Sequence, residues 1–364
     1  MGAIVIVAHL APGTSDAPLL LARAFERLGW PAAVFPMDED LPTAERVLEP
    51  IGLPHDHRLW IRLFNRRLRR YLATTRPAAL LLFGSNWKVL PATLQMARRV
   101  GTATALWECN HRLDAWFQRQ ALGEYDCYFD LDSHFLHVAR ELGARRVEHL
   151  PGCADPEEHH PAPVSPADDA RYGADVSFVG SPYPERVPFF ESLAGYRLRL
   201  WGIGWDALDS RRLATVAAAV AREPVYGLKK TVIYRASAIN VNIQGARMVN
   251  GENFRLFEIA ACEAFCLTTP KPDLARWFRP GYDLETFATG EELRAQVDRF
   301  LGDPNGRHQR ARAARRIVLE SHTYDHRAAQ VLDALGLRPT AVTREPRTVG
   351  RFGTSRAAGR CDEI

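Results

Sequence analysis

Residues 250–269, with the sequence NGENFRLFEIAACEAFCLTT, decide how the fold of the second half of the chain is interpreted. Asn and Gly at the start favour a turn, and Asn253 is suited to cap a helix. Apolar residues then recur at helical spacing, and a short apolar strand follows at 265–268. Arg255 and Glu258 lie one turn apart on a different face of this helix. The stretch therefore predicts a loop, helix and strand of an α/β domain, with the helix N-terminus available to an anion.

Two interpretations of Arg255 and Glu258 are open at this point. In the first, they form an exposed ion pair on a solvated helix, which contributes about 0.2–0.5 kcal/mol. In the second, they hold a phosphate group and a pair of sugar hydroxyls. The local spacing is the same in both cases, so only the rest of the chain can distinguish the two interpretations.

Strands and helices alternate along the whole chain. Apolar runs typical of buried parallel strands occur at 3–8, 78–84, 174–179 and 238–243, and amphipathic helical patterns lie between them. A proline-rich segment interrupts this alternation near the middle. The arrangement predicts an α/β fold with two doubly wound (Rossmann-like) parallel-sheet domains that face a central cleft. The predicted units are an N-terminal, acceptor-side domain at 1–155, a linker at 156–172, a C-terminal domain at 173–337 and a basic, disordered tail at 338–364.

Composition and charge exclude several classes of protein. With 46% apolar and 25% charged residues, the chain has the composition of a soluble globular protein. The net charge is +4, and the tail from 338 onward carries six arginines against three acidic residues, so a nucleic-acid partner is not expected. The six cysteines show no CxxC pairing, which favours free thiols and no metal site. A short apolar N-terminus without basic residues, and no apolar run of about 18 residues, favour a cytoplasmic protein without a membrane span.

Polar residues follow the strands of the predicted C-terminal domain, at the edge where α/β sheets bind ligands. Gly180 and Ser181 end one strand, and Arg186 lies in the first turn of the next helix. A glycine turn, a helix start and an arginine together suit a diphosphate. Neither a GxGxxG motif after a strand nor a P-loop occurs in the sequence. The common dinucleotide and P-loop sites are therefore excluded.

A set of short motifs occurs in order through the second half of the chain. The set is Asp175–Arg186 (DVSFVGSPYPER), Leu200–Gly202, Tyr226-Gly227, Tyr234, Ser237–Asn242, Asn253–Arg255, Phe257-Glu258, Lys271–Asp273 and, near the end, His322–His326. Together these motifs resemble the CgeB-type (spore maturation protein-like) glycosyltransferases, over about residues 120–335. The resemblance implies a GT-B fold and a sugar donor that is a nucleotide-diphosphate sugar, held mainly by the C-terminal domain, with no other cofactor.

The resemblance also implies roles for individual residues. Glu258 would hold the ribose hydroxyls, and Asn242 and Gln244 would lie near the base or the ribose. The residues implied to surround the diphosphate are Gly180, Ser181, Arg186, Asn253 and Arg255, with Lys229 or Lys230 as a further candidate. Related retaining enzymes carry a glutamate eight residues before the ribose-binding one. This chain has Asn250 there, so retention of configuration is the expectation while the sugar contact at that position stays open.

The predicted catalytic residues come from the N-terminal domain, because a base there would reach an acceptor hydroxyl. Glu108 is the first candidate, followed by His111 and Asp130, although Glu108 fits equally well as a strand-end acid paired with Arg112. Asp130-Leu-Asp132 is a DxD motif, which binds metal in a different glycosyltransferase fold. Its position at a strand end favours a polar strand terminus here.

The leading hypothesis is a metal-independent glycosyltransferase. An epimerase or hydrolase of nucleotide sugars on the same fold is the second enzyme hypothesis, and a non-catalytic nucleotide-binding scaffold is the third. The nucleotide, the sugar, the acceptor (a sugar, a natural product or a protein), the oligomeric state and the role of the tail are not indicated by the sequence.

Overall fold

The computed structural model describes residues 2–10, 16–37, 57–84, 88–109, 121–205, 210–221, 223 and 225–338. Two parallel six-stranded sheets, each covered by helices, form the body of the protein. The predicted two-domain α/β fold is therefore confirmed. The tail predicted to be disordered lies, from residue 339 on, outside the described residues. In the part of the chain that the structure describes, no helix is long and apolar enough to cross a membrane.

The first sheet has the strand order β2-β1-β3-β4-β5-β6. Its strands are β1 (Ile4–Ala8), β2 (Ala32–Pro36), β3 (Ala79–Phe83), β4 (Ala103–Glu108), β5 (Cys127–Asp130) and β6 (Val147–His149). All residues of β1 and β3 are buried, as expected for central strands covered on both faces. The helices that cover the sheet are α1 (Ala17–Arg27), α2 (His57–Thr75), α3 (Pro91–Arg99) and α4 (Phe135–Glu141).

Helix α2 illustrates the amphipathic pattern of the helices that cover the first sheet. Trp60, Phe64, Leu68 and Leu72 recur every four residues and are all buried against the sheet. Its arginines occupy the remaining positions, mostly at the surface. The strongly basic pattern in the sequence is thus the outer face of an amphipathic helix.

The second sheet has the strand order β12-β11-β10-β7-β8-β9. Its strands are β7 (Ala174–Val179), β8 (Leu198–Trp201), β9 (Val220–Ala221), β10 (Ser237–Asn242), β11 (Cys266–Thr268) and β12 (Glu285–Thr286). The helices of this half are α5 (Pro166–Tyr172), α6 (Val187–Glu191), α7 (Ser210–Val216), α8 (Leu228–Ala236), α9 (Phe254–Ala261), α10 (Gly290–Leu301), α11 (Pro304–Ser321) and α12 (Tyr324–Ala334). The alanine-rich segment that begins at 210 forms the short helix α7, because the chain turns after 216 to add β9 to the sheet edge.

The last helix returns to the first domain. Helix α12 packs against α1, and its residues Tyr324, Ala328 and Val331 are buried in the core of the first domain. Arg27 of α1 donates to Asp325 at 2.8 Å. The predicted boundary at 337 does not describe this return, because a local helical pattern carries no information about which core the helix covers.

The proline-rich segment predicted as a linker is partly folded into the body. It contains α5, and Ala154 forms an isolated parallel bridge with Thr323 just before α12. Asp155 and His159 are buried, at 1% and 0% exposure. An exposed acidic linker, which the composition favoured, is therefore not what the structure shows around these residues.

Candidate active site in the cleft between the two sheets

Helix α9 supplies the centre of the site. The side chain of Asn253 accepts a hydrogen bond from Leu256 N at 3.3 Å, so Asn253 is the N-cap that the sequence predicted. Phe254, the first residue of the helix, contacts the rings of Phe83 and Trp107 in the first domain. The cap and this aromatic contact fix the helix N-terminus at the junction of the two domains.

Glu258, one turn further along α9, is buried among hydrogen-bond donors. Lys230 Nζ lies 2.9 Å from its Oε1 atom, and the Tyr234 hydroxyl donates to Oε2 at 3.3 Å. Lys230 and Tyr234 are one turn apart on α8, so they reach Glu258 from the same face of that helix. His159 Nε2 lies 3.8 Å from Oε1. The exposed ion pair considered from the sequence is thus excluded, since Glu258 is 7% exposed.

Glu258 and Lys230 each keep the other side chain in its charged form. Burial by itself raises the pKa of Glu258, but the charge of Lys230 and its hydrogen bond outweigh it and hold that pKa at about 2. Burial likewise lowers the pKa of Lys230, and Glu258 and Asp16 outweigh it, so the pKa lies above its ordinary value. Asp16 comes from the start of α1, and its Oδ1 lies 3.3 Å from Lys230 Nζ. At neutral pH the carboxylate and the ammonium group are both charged.

Two guanidinium groups lie side by side next to this cluster. Arg186 and Arg255 both stack on the ring of Phe178, at 5.1 and 4.8 Å from its centroid. Arg255 Nη1 donates to Asn242 Oδ1 at 3.0 Å and Arg186 Nη1 donates to the carbonyl of Ser181 at 2.7 Å. Burial and the positive charge of Arg255 lower the pKa of Arg186 to about 9. Neither guanidinium forms an ion pair with a carboxylate of the described residues.

Gly180 makes room for Arg255. A Cβ atom at this position would lie 2.3 Å from Arg255 Nη2, so any side chain here would displace the guanidinium. Gly202 has φ +129°, and a Cβ atom there would lie 2.5 Å from the carbonyl oxygen of Gly180. Gly180 is therefore required by the close approach of the arginine, and Gly202 by its positive φ and the close approach of the Gly180 backbone.

A network of hydrogen-bonded side chains holds Asn253 and Arg255 in place. Asn253 Nδ2 donates to Asn242 Oδ1 at 3.0 Å and to Gln244 Oε1 at 2.7 Å. Gln244 Nε2 donates in turn to the carboxyl group of Glu252, which is fully buried. Burial raises the pKa of Glu252 well above its ordinary value. Asn242 and Gln244, which the resemblance placed near the base or ribose, are thus buried and orient Asn253 and Arg255.

Several of these groups line a cleft with a volume of about 280 Å³. Its wall carries Glu258, Lys230 and Arg255, and Asp16 contributes from the first domain. Two apolar side chains lie at its rim, Ile203 and Tyr226, at 46% and 38% exposure. The cleft thus joins a charged interior to an apolar, accessible edge.

The DxD motif has a structural role in the domain junction. Asp132 accepts hydrogen bonds from the backbone N–H groups of Val249, at 2.8 Å, and Asn250, at 3.1 Å. Ser133, which precedes α4, donates to Asp273 of the second domain at 2.7 Å. These contacts hold the loop before α9 against the first domain. In the described part of the chain, no group of three or more His, Cys, Asp or Glu side chains is arranged to hold a metal ion.

The predicted catalytic residues lie apart from the cleft described above. Glu108 and Asp130 end neighbouring strands in register, and both are fully buried. The Tyr128 hydroxyl donates to Asp130 Oδ2 at 2.5 Å, and the backbone N–H of Asp132 donates to Oδ1 at 2.8 Å. His111 lies outside the described residues. The role of these three residues as acceptor-side bases stays a prediction.

Sequence reasoning missed three members of the site, namely Asp16, Phe178 and His159. Asp16 and His159 come from segments distant in sequence from α9, and Phe178 resembles any other core residue of a buried strand. Of the two candidate lysines, Lys230 lies at Glu258, whereas Lys229 pairs with Glu223. An acidic residue before the first helix and a histidine in the proline-rich segment were visible signals, but no local pattern connects them to Glu258.

The comparison with protein families gives a match in the second half of the chain. Residues 166–333 match the family model described as glycosyl transferase-like. A search among curated proteins gave no match.

Solved structures share the architecture at low sequence identity. Sucrose-phosphate synthase from Thermosynechococcus elongatus aligns with a TM-score of 0.65 and 10% identity over 92% of this chain and 98% of that chain. Anabaena HepE, solved in complex with UDP-glucose, aligns with a TM-score of 0.65 and 10% identity over 92% of this chain and 100% of that chain. The chain therefore has the GT-B fold of these structures, and its second half matches the glycosyl transferase-like family.

Proposed function

We propose that this protein transfers a sugar from a nucleotide-diphosphate sugar to a hydroxyl group of an acceptor, and that the donor binds in the cleft around α9. The nucleotide diphosphate would lie against Arg186, Arg255 and Lys230, and the ribose would lie against Glu258. The acceptor would approach from the first domain. The family match and the fold support the reaction class, and the arrangement of charges supports the donor.

The pair Arg186 and Arg255 is the observation that carries the donor proposal. Arg186 is buried and Arg255 is partly buried, and two like charges side by side repel each other and lose hydration, so their placement costs free energy unless an anion joins them. Guanidinium groups bind phosphate oxygens in bidentate fashion, and a diphosphate has enough oxygens for both. In glycosyl transfer the same contacts stabilise the negative charge that develops on the leaving diphosphate. The arginine pair therefore suits both donor binding and departure of the leaving group.

The rest of the cleft matches the remaining parts of a nucleotide. Glu258 is ionised and keeps lone pairs beyond those used by Lys230 and Tyr234, so it can accept hydrogen bonds from two ribose hydroxyls. The rim residues Ile203 and Tyr226 offer apolar surface on which a base can stack. HepE, which shares the fold, was solved with UDP-glucose. We therefore rank a UDP-sugar first among the donors.

Nucleotide binding tests this proposal directly. Thermal shift and calorimetry with UDP, GDP, dTDP and ADP should show one or more diphosphates that stabilise the wild-type protein. Arg255→Ala should weaken that binding by about 10- to 100-fold, since hydrogen bonds to charged groups contribute about 1.5–3 kcal/mol. Arg312→Ala is the matched control, because this arginine is 76% exposed and pairs only with Glu263. If no diphosphate stabilises the wild type, or if both variants bind equally well, the donor site is wrongly placed.

We further propose that the reaction is independent of a metal ion and that the enzyme is of the CgeB type. The arginine pair and Lys230 offer the leaving diphosphate the positive charge that a cation supplies in other enzymes. The ordered motifs from Asp175 to Asp273 support the narrower family. Excess EDTA should leave nucleotide affinity unchanged, and a dependence on added Mg²⁺ would contradict this part of the proposal.

We also propose retention of configuration at the transferred sugar. The resemblance to retaining enzymes supports it, with Asn250 in place of their glutamate. In this structure Asn250 Nδ2 donates to Ser133 Oγ at 3.2 Å, so the side chain is held at the domain junction. The anomeric configuration of the product, determined by NMR after transfer to a hydroxyl acceptor, decides the question. An inverted product would overturn retention.

A further inference from the structure

His159 is a buried polar residue that the donor-binding scheme leaves without a role. Its side chain is 0% exposed, and its Nε2 atom has no hydrogen-bond partner among the residues that the structure describes. The nearest charged group is the Glu258 carboxylate, whose Oε1 atom lies 3.8 Å away. An unpartnered ring nitrogen in the interior is costly, so its direction toward this carboxylate calls for an explanation.

The backbone fixes which nitrogen of His159 carries the proton. The N–H of Asp155 donates to Nδ1 at 3.2 Å, and an N–H group can only donate, so Nδ1 is the acceptor. The proton of the neutral ring is then on Nε2, which points at Glu258. Burial lowers the pKa of His159, which keeps the ring neutral. The carboxylate of Asp155 accepts from the N–H of Glu157 at 2.8 Å and holds the turn that carries the ring.

Lys230 and Tyr234 by themselves do not fix the orientation of the Glu258 carboxylate. Lys230 is shared, because its ammonium group also lies 3.3 Å from Asp16. Tyr234 reaches only the second oxygen, Oε2. His159 approaches the first oxygen from a separate, fixed segment of the chain. Together with the hydrogen bonds from Lys230 and Tyr234, the attraction of this N–H group favours one orientation of the carboxylate, and a fixed orientation can select between ligands that differ by one hydroxyl group.

We propose that His159 is a positioning residue for Glu258: through its Nε2–H it orients the carboxylate so that the site distinguishes ribose from 2′-deoxyribose. This inference rests on the proposed function, in which Glu258 binds the ribose hydroxyls. His159 itself does not touch the nucleotide. It acts on the ratio of the affinities for a ribonucleotide and for its 2′-deoxy analogue.

Two substitutions separate this role from a role in local folding. In His159→Asn the amide oxygen takes the place of Nδ1, so the turn keeps its acceptor for the Asp155 N–H, while the group that faces Glu258 is removed. In His159→Gln the amide nitrogen reaches the place of Nε2 and restores a donor toward Glu258. Calorimetry with UDP and 2′-deoxy-UDP, and with GDP and 2′-deoxy-GDP, gives the affinity ratio for each variant. Thermal unfolding without ligand reports whether the turn is intact.

The wild type should bind the ribonucleotide more tightly than its 2′-deoxy analogue. His159→Asn should reduce this ratio about threefold, because at 3.8 Å the Nε2–H group attracts the carboxylate more weakly than a hydrogen bond would, while its unfolding temperature stays near that of the wild type. His159→Gln should keep the ratio within about twofold. An unchanged ratio in His159→Asn, or an equal fall in both variants, would overturn the inference. Absence of nucleoside diphosphate binding to the wild type would instead overturn the proposed function, and that result needs no variant.

Discussion

Replacement of Glu258 by glutamine tests the electrostatic account of the site most sharply. The change keeps the volume of the side chain and the acceptor for Tyr234, but it removes the negative charge beside Lys230. The pKa of Glu258 is held at about 2 in place of 4.5. At 1.36 kcal/mol for each pKa step, the ionised carboxylate stabilises the fold by about 3 kcal/mol, which is also the order expected when one partner of a buried ion pair is removed. Glu258→Gln should therefore be less stable than the wild type by about this amount at pH 7.

The pKa of Glu258 also predicts how the stability difference between the wild type and Glu258→Gln depends on pH. The folded-state pKa of Glu258 lies below its value of 4.5 in an unfolded chain, so its contribution is complete above about pH 5 and is lost as the pH falls from 4.5 toward 2. Denaturant unfolding of both proteins at several pH values, followed by circular dichroism, measures the difference. It should shrink as the pH decreases through this range. Glu320→Gln is the control, since this carboxylate is 65% exposed, and it should show no measurable effect. A difference that stays constant from pH 7 to pH 3 would refute the reasoning.

Three further perturbations test other parts of the site. Gly180→Ala should displace Arg255, because the new Cβ atom would lie 2.3 Å from Nη2, and calorimetry should show nucleotide binding weakened at least tenfold; Gly302→Ala, where the nearest atom lies at 3.5 Å, should bind normally. Asp132→Ala removes the acceptor for two backbone N–H groups at 249–250 and should lower the free energy of unfolding by about 1–3 kcal/mol, measured by urea denaturation. Addition of EDTA should leave nucleotide affinity unchanged in calorimetry, whereas a loss that Mg²⁺ restores would contradict metal independence.

The glycosyltransferase proposal also explains why the two domains are held together at the site. Asp16, from the first domain, accepts from Lys230 and from the backbone N–H of Gly227 at 3.0 Å. Asp132 and Ser133, also from the first domain, hold the loop before α9 and the segment after β11. The donor site therefore depends on contacts from both halves of the chain. An isolated C-terminal domain would lack these groups.

The local parts of the fold could be predicted from the sequence because they depend on short-range chemistry. Asn253 caps α9 since its side chain accepts an N–H three residues away, and the buried runs at β1 and β3 form strands because every position is apolar. Arg255 and Glu258 were correctly grouped, because a helix places positions three apart on one face. The alternation of such elements was sufficient to predict two parallel sheets.

What only the tertiary structure decided is which distant residues meet and which of them are buried. The sequence left Glu258 either as one member of an exposed ion pair or as a ligand of sugar hydroxyls. The fold surrounds it with Lys230, Tyr234 and His159, which come from two other segments. His159 lies in a stretch whose proline and acidic residues favour an exposed linker, yet long-range packing buries it completely. Burial and long-range contacts depend on the position of the whole backbone in space, whereas a sequence pattern reports only the preferences of neighbouring residues. The sequence by itself therefore determined the elements and the arginine and glutamate of the site, and the tertiary structure determined their charges, their partners and the cleft that they share.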